Sequence, residues 1–407
     1  MRKLLLVILI TAAFFRLWGA FDVSKHIDDE NLHATDAVAI AHYGTTANWG
    51  WHHPQLSGFI MYGTIKLFGD TPAGRRSSNI FFGTASVALL FRVGSLLYPA
   101  SAVPLLAAAF LAFDPHNIYI SRTSFVEIPV TFFFLLYLWF LLEHTENGRK
   151  TLPLAGIACG LTIATKSYFS FAIPLTAAYA FHRNRQRGIT APQSLADLAA
   201  SLLLLPLTIY LVSYLQWFGR GHTIMDLFRM KLDGLWALNR LSLFNGQAYL
   251  EAGGKPWEWF LKPFFWGQQR LINSQSGQFL LQCNNIPVRI FVLPALCITV
   301  AYGTRQRISR ELLAPAIFLV CYALLLAVTR PMFSYSSTVL LPFAYLMLAR
   351  AALLPAGNRK HEKAVLAGII VLNLLWVLYL FPLLSARTVS IAPFKPVLSL
   401  VTVWGAL

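Results

Sequence analysis

Residues 1–20 read MRKLLLVILITAAFFRLWGA, a positively charged start followed by an apolar run. No small-x-small cleavage motif follows before Phe21 and Asp22, so the stretch predicts a retained membrane span, not a cleaved signal peptide. The rest of the chain has the same character, since 57% of its 407 residues are hydrophobic and only 12% are charged. A water-soluble globule needs more polar surface than this. The sequence therefore predicts an all-α polytopic membrane protein.

Apolar runs long enough, or nearly long enough, to cross ~30 Å of hydrocarbon occur about eleven times. They are 3–21, 77–97, 101–113, 126–142, 152–165, 167–181, 196–218, 288–303, 311–328, 335–354 and 364–384. We expect about eleven transmembrane helices in a single domain, 1–407, with no separate soluble domain.

A net charge of +16 could indicate a nucleic-acid-binding protein, so the positions of the basic residues have to be considered. Lysines and arginines gather in short gaps between the apolar runs. The clusters are Arg2 and Lys3; Arg149 and Lys150; Arg183, Arg185 and Arg187; Arg305, Arg307 and Arg310; and Arg359, Lys360 and Lys363. This is the pattern of cytoplasmic loops and not of a continuous phosphate-tracking stripe, so we expect no nucleic-acid partner.

With the N-terminus inside, every basic cluster falls on the cytoplasmic side, and an odd number of spans puts the C-terminus outside. Two long outer loops remain, 22–76 and 219–287, with short outer turns at 114–125 and 329–334. Pro54 to Phe68 is too short to span and is expected to lie at the interface. Most of the seventeen acidic residues fall on the outer side, which indicates a site there.

Three neighbouring carboxylates, Asp28, Asp29 and Glu30, stand just beyond the first span. Like charges this close repel one another, so at least one carboxylate is expected to have a raised proton affinity or a cationic partner. A base held there can take a proton from a hydroxyl group.

Further motifs follow in order along about 25–340. After the acidic pair come His53-Pro54-Gln55-Leu56, Arg76 seven residues before Gly83, Ser121-Arg122 with Glu127, Gly160-Leu161 with Lys166 and Tyr168, Pro256-Trp257-Glu258-Trp259, and Arg330-Pro331-Met332-Phe333 with Tyr335. In order and placement this set resembles the protein O-mannosyltransferases and the related bacterial transferases that use polyprenyl-phosphate sugars, which share the C-type polytopic fold.

The resemblance implies a role for each matched residue. Asp29 is the expected base and Glu30 orients groups or binds the acceptor, while Asp28 competes for either role. The expected phosphate ligands, all near outer membrane boundaries, are Arg76, Arg122, Lys166 and Arg330. Snorkelling towards the headgroups is the alternative for each of these cations. The expected substrate-binding residues are His53, Glu127, Trp257 and Tyr335, although Trp257 also fits an aromatic belt at the membrane interface.

No cofactor is expected. The alternative is a divalent metal bound by loop histidines together with the acids; the histidines are His26, His33, His42, His52 and His53. The four cysteines form no disulfide or zinc framework, since three of them lie in apolar runs.

The sequence thus predicts an inverting membrane glycosyltransferase that moves a sugar from a polyprenyl-phosphate carrier to a protein, lipid or glycan acceptor on the outer face. Two alternatives stay open, a transporter or flippase of lipid-linked sugar and a non-catalytic membrane assembly protein. The 219–287 loop is far too short for the β-trefoil insertion of the eukaryotic enzymes, which favours a bacterial inner membrane.

Overall fold

The computed structural model describes residues 2–24, 27, 30–43, 53–240, 254–262, 264–273, 275–328, 332–356 and 358–403. The helices are α1 (Arg2–Leu17), α2 (Glu30–Tyr43), α3 (Leu56–Phe68), α4 (Pro72–Leu97), α5 (Val103–Ala112), α6 (Pro115–Ser121), α7 (Glu127–Asn147), α8 (Leu152–Thr165), α9 (Ala172–Gln186), α10 (Ala191–Val212), α11 (Leu215–Gly219), α12 (Ile224–Arg240), α13 (Ile286–Arg305), α14 (Ser309–Ala327), α15 (Leu341–Leu353), α16 (Arg359–Leu380) and α17 (Lys395–Val403). The strands are β1 (Phe264–Asn273), β2 (Ser276–Cys283) and β3 (Thr388–Ser390).

The predicted polytopic, mainly helical fold is confirmed, and each predicted apolar run contains a helix. By length and composition, six helices within the described residues can cross a membrane: α4, α7, α10, α13, α14 and α16. Helices α5 and α6 make a seventh span if this pair, bent by 60°, is counted as one. Three shorter apolar helices accompany them, namely α3, α8 and α15. The count of about eleven spans stays a prediction.

The centre of the bundle is built from α5 and α15. Every residue of α5 is buried, and so is the unbroken stretch Leu341–Ala349 of α15. Both segments are almost purely apolar, so nothing in them requires water. By contrast, less than a third of the apolar stretch of α10, α13 or α16 is buried, as expected of helices that face lipid.

Helices α8 and α10 approach closely through two glycines one turn apart. A Cβ atom at Gly156 would collide with the carbonyl oxygen of Ser201, and one at Gly160 would lie 2.7 Å from Ile209. This small-xxx-small spacing lets two backbones touch where a larger side chain would hold them apart. It fixes α8, whose last turn leads directly to Lys166.

The second outer loop departs from the all-α expectation. It contains helix α12, but Phe264 to Cys283 forms an antiparallel hairpin to which β3 adds a third strand. The run FFWGQQRLIN is rich in aromatic residues, which favour strands, although a short run of this kind cannot be told from a helix by period alone.

Candidate active site

One part of the candidate site is a buried ion pair between Arg76 and Glu30. Arg76 Nη2 lies 2.6 Å from Glu30 Oε2 and Arg76 Nε lies 2.8 Å from Oε1, and neither side chain is exposed. Arg76 Nη1 also donates to the carbonyl oxygens of Ala20 and Val23, which follow α1. Glu30 Oε2 accepts from the Ile27 N–H at 3.1 Å. We call these five residues the Glu30 clamp.

The Glu30 clamp ties together the residues on either side of positions 28 and 29. Besides the side-chain contact, the Glu30 N–H donates to the Ile27 carbonyl oxygen at 3.0 Å. The paired contacts resemble a capping box, in which a glutamate returns to the backbone at the start of its own helix. Asp28 and Asp29 themselves lie outside the described residues. The arrangement is compatible with the orienting role predicted for Glu30.

A second group surrounds Glu127, the first residue of α7. Its Oε1 accepts from Lys166 Nζ at 2.8 Å and from the Tyr168 hydroxyl at 2.9 Å. The Tyr168 oxygen in turn lies 2.9 Å from Ser336 Oγ. The Lys166 ammonium sits 4.6 Å from the ring centroid of Tyr168 and 6.0 Å from that of Tyr335. We call these five residues the Glu127 cluster.

The Glu127 cluster retains unused hydrogen-bonding capacity. Glu127 is 1% exposed, yet its Oε2 has no hydrogen-bond partner among the described residues. A buried carboxylate oxygen left in this state costs free energy unless a ligand or water supplies a donor. Lys166 has three N–H donors and gives one to Glu127, and its side chain is 19% exposed. Glu127 Oε2 can therefore accept a hydrogen bond from a hydroxyl group, and the neighbouring Lys166 ammonium can donate one to an anion.

The short loop before α7 joins the clamp to the cluster. Ser124 Oγ lies 3.1 Å from Glu30 Oε1. The neighbouring Phe125 ring lies 4.8 Å, centroid to centroid, from Tyr335 and 6.2 Å from His33. Ser124 thus contacts the Glu30 clamp and Phe125 contacts the Glu127 cluster. This places Glu30, which follows positions 28 and 29, near the Glu127 cluster.

The four cations predicted to hold phosphate have different surroundings. Arg76 belongs to the Glu30 clamp and Lys166 to the Glu127 cluster. Arg122 is 4% exposed, and its Nη1 donates to two carbonyl oxygens at the end of α1, at 2.8 and 2.9 Å. Arg330 lies outside the described residues. Of the described three, Lys166 is the one whose charged group is both accessible and only partly engaged.

The remaining predicted substrate residues differ in their surroundings. Tyr335 is in the Glu127 cluster. His53 is exposed just before α3, and its carbonyl oxygen accepts from Gln55 Nε2 at 2.6 Å. Trp257 is 54% exposed in a short 3-10 helix, Pro256–Phe260. Gly254 and Met332 exchange backbone hydrogen bonds, which holds this segment next to the chain that leads into Tyr335.

The metal alternative gains no support from the part of the chain that the structure describes. No group of three or more His, Cys, Asp or Glu side chains suitable for a metal ion occurs there. Burial lowers the pKa of the half-buried His33 to about 4, against the opposing attraction of Glu127, so its ring is neutral at neutral pH. His26 and His52 lie outside the described residues. The expectation that no cofactor is needed stays a prediction.

Two serines of the site were missed by sequence reasoning. Ser124 contacts the Glu30 clamp and Ser336 belongs to the Glu127 cluster. Each stands within three residues of a motif residue, but serine is common in any polar loop, and spacing alone does not distinguish these two from their neighbours.

Comparisons with known proteins show what the chain is similar to. The family model of the dolichyl-phosphate-mannose-protein mannosyltransferases matches residues 52–214. A polyprenol-phosphate-mannose–protein mannosyltransferase of Corynebacterium glutamicum is 22% identical over 389 residues, covering 78% of this chain and 75% of the relative. These matches confirm the resemblance inferred from the sequence and the expected enzyme class, a mannosyltransferase-like glycosyltransferase.

Solved structures show the shared fold. The Saccharomyces cerevisiae protein O-mannosyltransferase Pmt1–Pmt2 complex, bound to the sugar donor, has a TM-score of 0.75 at 13% identity, covering 95% of this chain and 90% of that one. ArnT from Cupriavidus metallidurans, bound to undecaprenyl phosphate, has a TM-score of 0.59 at 13% identity, covering 98% and 74%. At these identities the likeness concerns the fold alone.

Proposed function

We propose that this chain transfers a sugar, mannose or a related hexose, from a polyprenyl-phosphate carrier to a hydroxyl group of a protein, lipid or glycan acceptor. The names of the curated relative and of the matching family favour protein as the acceptor. The observation that carries the proposal is the Glu127 cluster, where an unused carboxylate oxygen stands beside an ammonium and two aromatic rings. Such a set suits a sugar phosphate, which offers hydroxyls, an anion and a ring face together.

The proposed reaction needs one base and one cation. Asp29 takes the proton from the acceptor hydroxyl, and the oxygen of that hydroxyl attacks the anomeric carbon of the sugar. The bond between that carbon and the phosphate oxygen breaks, and polyprenyl phosphate leaves with the electron pair. Lys166 stabilises the charge that develops on the phosphate, and Glu127 Oε2 accepts from a sugar hydroxyl. Attack in line with the leaving group inverts the anomeric centre.

We propose that the site works at the outer face of a bacterial inner membrane. The polyprenyl tail then stays in the bilayer while its phosphate meets Lys166 at headgroup depth. The acceptor reaches the site from outside through the long outer loops. No nucleic acid takes part, because the basic clusters are confined to the loops assigned to the inner side.

Transfer by purified protein in detergent tests the proposal against a flippase. The assay combines a short-chain polyprenyl-phosphate mannose, labelled in the sugar, with a serine- and threonine-containing peptide and detects labelled peptide by mass spectrometry. A transferase makes product without a sealed compartment, whereas a flippase or an assembly protein makes none. Absence of product with peptide, lipid and glycan acceptors alike would remove the proposed function.

Lys166→Gln is expected to weaken use of the donor far more than use of the acceptor. Glutamine keeps a hydrogen-bond donor for Glu127 but carries no charge for the phosphate. A charge-assisted contact is worth about 1.5–3 kcal/mol, which corresponds to a rise in the donor KM of roughly 10- to 100-fold. The measurement is separate Michaelis constants for donor and acceptor.

Arg183→Gln is the matched control for that measurement. Arg183 also pairs with a glutamate, Glu146, at 2.7 Å and is similarly accessible, but it lies near the end of α9 in the basic cluster assigned to the inner side. Both constants are expected to stay near wild type in this control. A rise confined to the acceptor constant in Lys166→Gln would take Lys166 out of the phosphate site.

The orientation is tested by cysteine labelling. In a variant without the four native cysteines, Arg185→Cys is expected to resist a membrane-impermeant maleimide in intact cells, and Lys255→Cys is expected to react. Both positions are exposed, so accessibility does not separate them. Labelling of position 185 from outside would reverse the proposed topology.

A further inference from the structure

A second buried polar group lies at the bend between α5 and α6. Asp114 and Arg289 form an ion pair at 2.9 Å, neither side chain is exposed, and the Tyr345 hydroxyl also donates to Asp114. His116, two residues after Asp114, is fully buried as well. Nothing in the proposed chemistry uses these residues. Buried polar groups are costly unless hydrogen-bonded, so their retention needs a reason.

His116 connects three separate elements of the fold. Gln282 Nε2, near the end of β2, lies 3.1 Å from His116 Nδ1. His116 Nε2 lies 3.2 Å from Thr338 Oγ1 and 3.3 Å from Ser337 Oγ. An amide N–H donating to Nδ1 leaves the ring proton on Nε2, from where it can be donated to the threonine or serine hydroxyl.

Gln282 contacts the segment that contains Ser337 and Thr338 through its side-chain oxygen. Its Oε1 accepts from Ser334 Oγ at 2.9 Å. The segment is the short 3-10 helix Ser334–Val339, and its two ends are thus anchored by one histidine and one glutamine. We call this helix the 334–339 turn.

The middle of the 334–339 turn reaches the proposed site. Ser336 Oγ contacts the Tyr168 hydroxyl, which donates to Glu127. Tyr335 places its ring 6.0 Å from the Lys166 ammonium. A shift of this turn would therefore disturb the groups proposed to bind the sugar phosphate.

We propose that His116, with Gln282, is a positioning residue for sugar transfer, acting through the placement of Tyr335 and Ser336. The inference rests on the proposed function. A hydrogen-bonded anchor fixes one placement of a short turn more strictly than apolar packing does, because each partner must meet its atom at one distance and angle. The hairpin that carries Gln282 thereby takes part in shaping the site.

The test compares three replacements of His116. His116→Gln keeps a donor near the position of Nε2 and is expected to retain most of the wild-type rate. His116→Asn keeps a polar atom near Nδ1 for Gln282 but loses the one that contacts Ser337 and Thr338. His116→Phe loses both contacts. We expect kcat/KM for the donor to fall by roughly tenfold, and up to about 10²-fold, in the last two, because misplacement of groups at a reacting centre has effects of this size.

A double-mutant cycle separates positioning from general stability. Ser336→Ala is measured in the wild-type and His116→Asn backgrounds. If His116 acts through the turn, the two losses in kcat/KM are not additive. Tyr345→Phe is the control, since it breaks a contact of the same buried group away from the turn. It is expected to lower the midpoint of thermal unfolding while its effect on kcat/KM adds to that of Ser336→Ala.

Fluorotyrosine at position 335 gives a readout that does not depend on transfer. One sharp ¹⁹F resonance is expected in the wild type and in His116→Gln, and broadened or multiple resonances in His116→Asn. If the wild-type protein transferred no sugar but the resonances behaved in this way, the proposed function would fail and the anchoring would stand. Unchanged resonances in His116→Asn, wild-type transfer by that variant, or additive losses in the cycle would overturn the inference.

Discussion

Replacing Asp29 by asparagine is expected to lower the rate of sugar transfer by a factor of about 10²–10⁴ while leaving the protein folded, because loss of a general base has effects of that size. Asparagine matches aspartate in shape but cannot take the proton of the acceptor hydroxyl. The assignment comes from the family resemblance, and in the sequence Asp29 stands between Ile27 and Glu30, which the Glu30 clamp ties together. The measurement is the initial rate with saturating donor and acceptor, alongside the midpoint of thermal unfolding.

Asp28→Asn is the matched control for the base. It makes the same chemical change one position earlier and is expected to keep a rate within about tenfold of wild type, since a neighbouring charge influences a base less than its own removal does. A dead Asp28→Asn beside an active Asp29→Asn would shift the assignment by one residue. Equal loss in both would indicate that the two carboxylates work as a coupled pair.

Much of the fold was predictable because lipid imposes a simple rule. Every backbone group inside the bilayer must be bonded within the chain, so long apolar runs become helices. The hairpin Phe264–Cys283 was not predictable in this way, since it lies in an outer loop where strand and helix are both allowed. Helix α6 was not predicted either, because 114–125 was assigned to a short outer turn.

Sequence motifs predicted part of the candidate cluster as a set of residues, but they did not predict the partner of each residue. Family motifs singled out Glu127, Lys166 and Tyr335, and the structure brings these three together. The motifs also singled out Arg76, yet only the three-dimensional fold shows that its guanidinium is paired with Glu30. Sequence spacing does not record which cation meets which carboxylate when the two are far apart along the chain.

The Glu30–Arg76 pair leads to a prediction about stability. Arg76→Met is expected to lower the free energy of unfolding by about 3–5 kcal/mol, because it leaves the fully buried carboxylate of Glu30 without a compensating charge. The double variant Arg76→Met with Glu30→Met removes both charges and is expected to recover most of that loss. The measurement is the midpoint of unfolding in a denaturing-detergent titration. Arg75→Met is the control, since its partner Asp70 is largely exposed, so no buried, unpaired charge is left and a smaller loss is expected.

Activity of the same variants decides between two roles for Arg76. As a positioning residue, Arg76 holds Glu30, which follows Asp28 and Asp29 in the sequence, so the double variant is expected to fold but to lose most of its kcat. Arg76→Lys keeps the charge but cannot make the bidentate contact with Glu30, and it should lower kcat with little change in the donor KM. As a phosphate ligand, Arg76 would give the opposite result, a raised donor KM in Arg76→Met that Arg76→Lys largely restores. Because the guanidinium already contacts Glu30 and two carbonyl oxygens, we expect the first outcome.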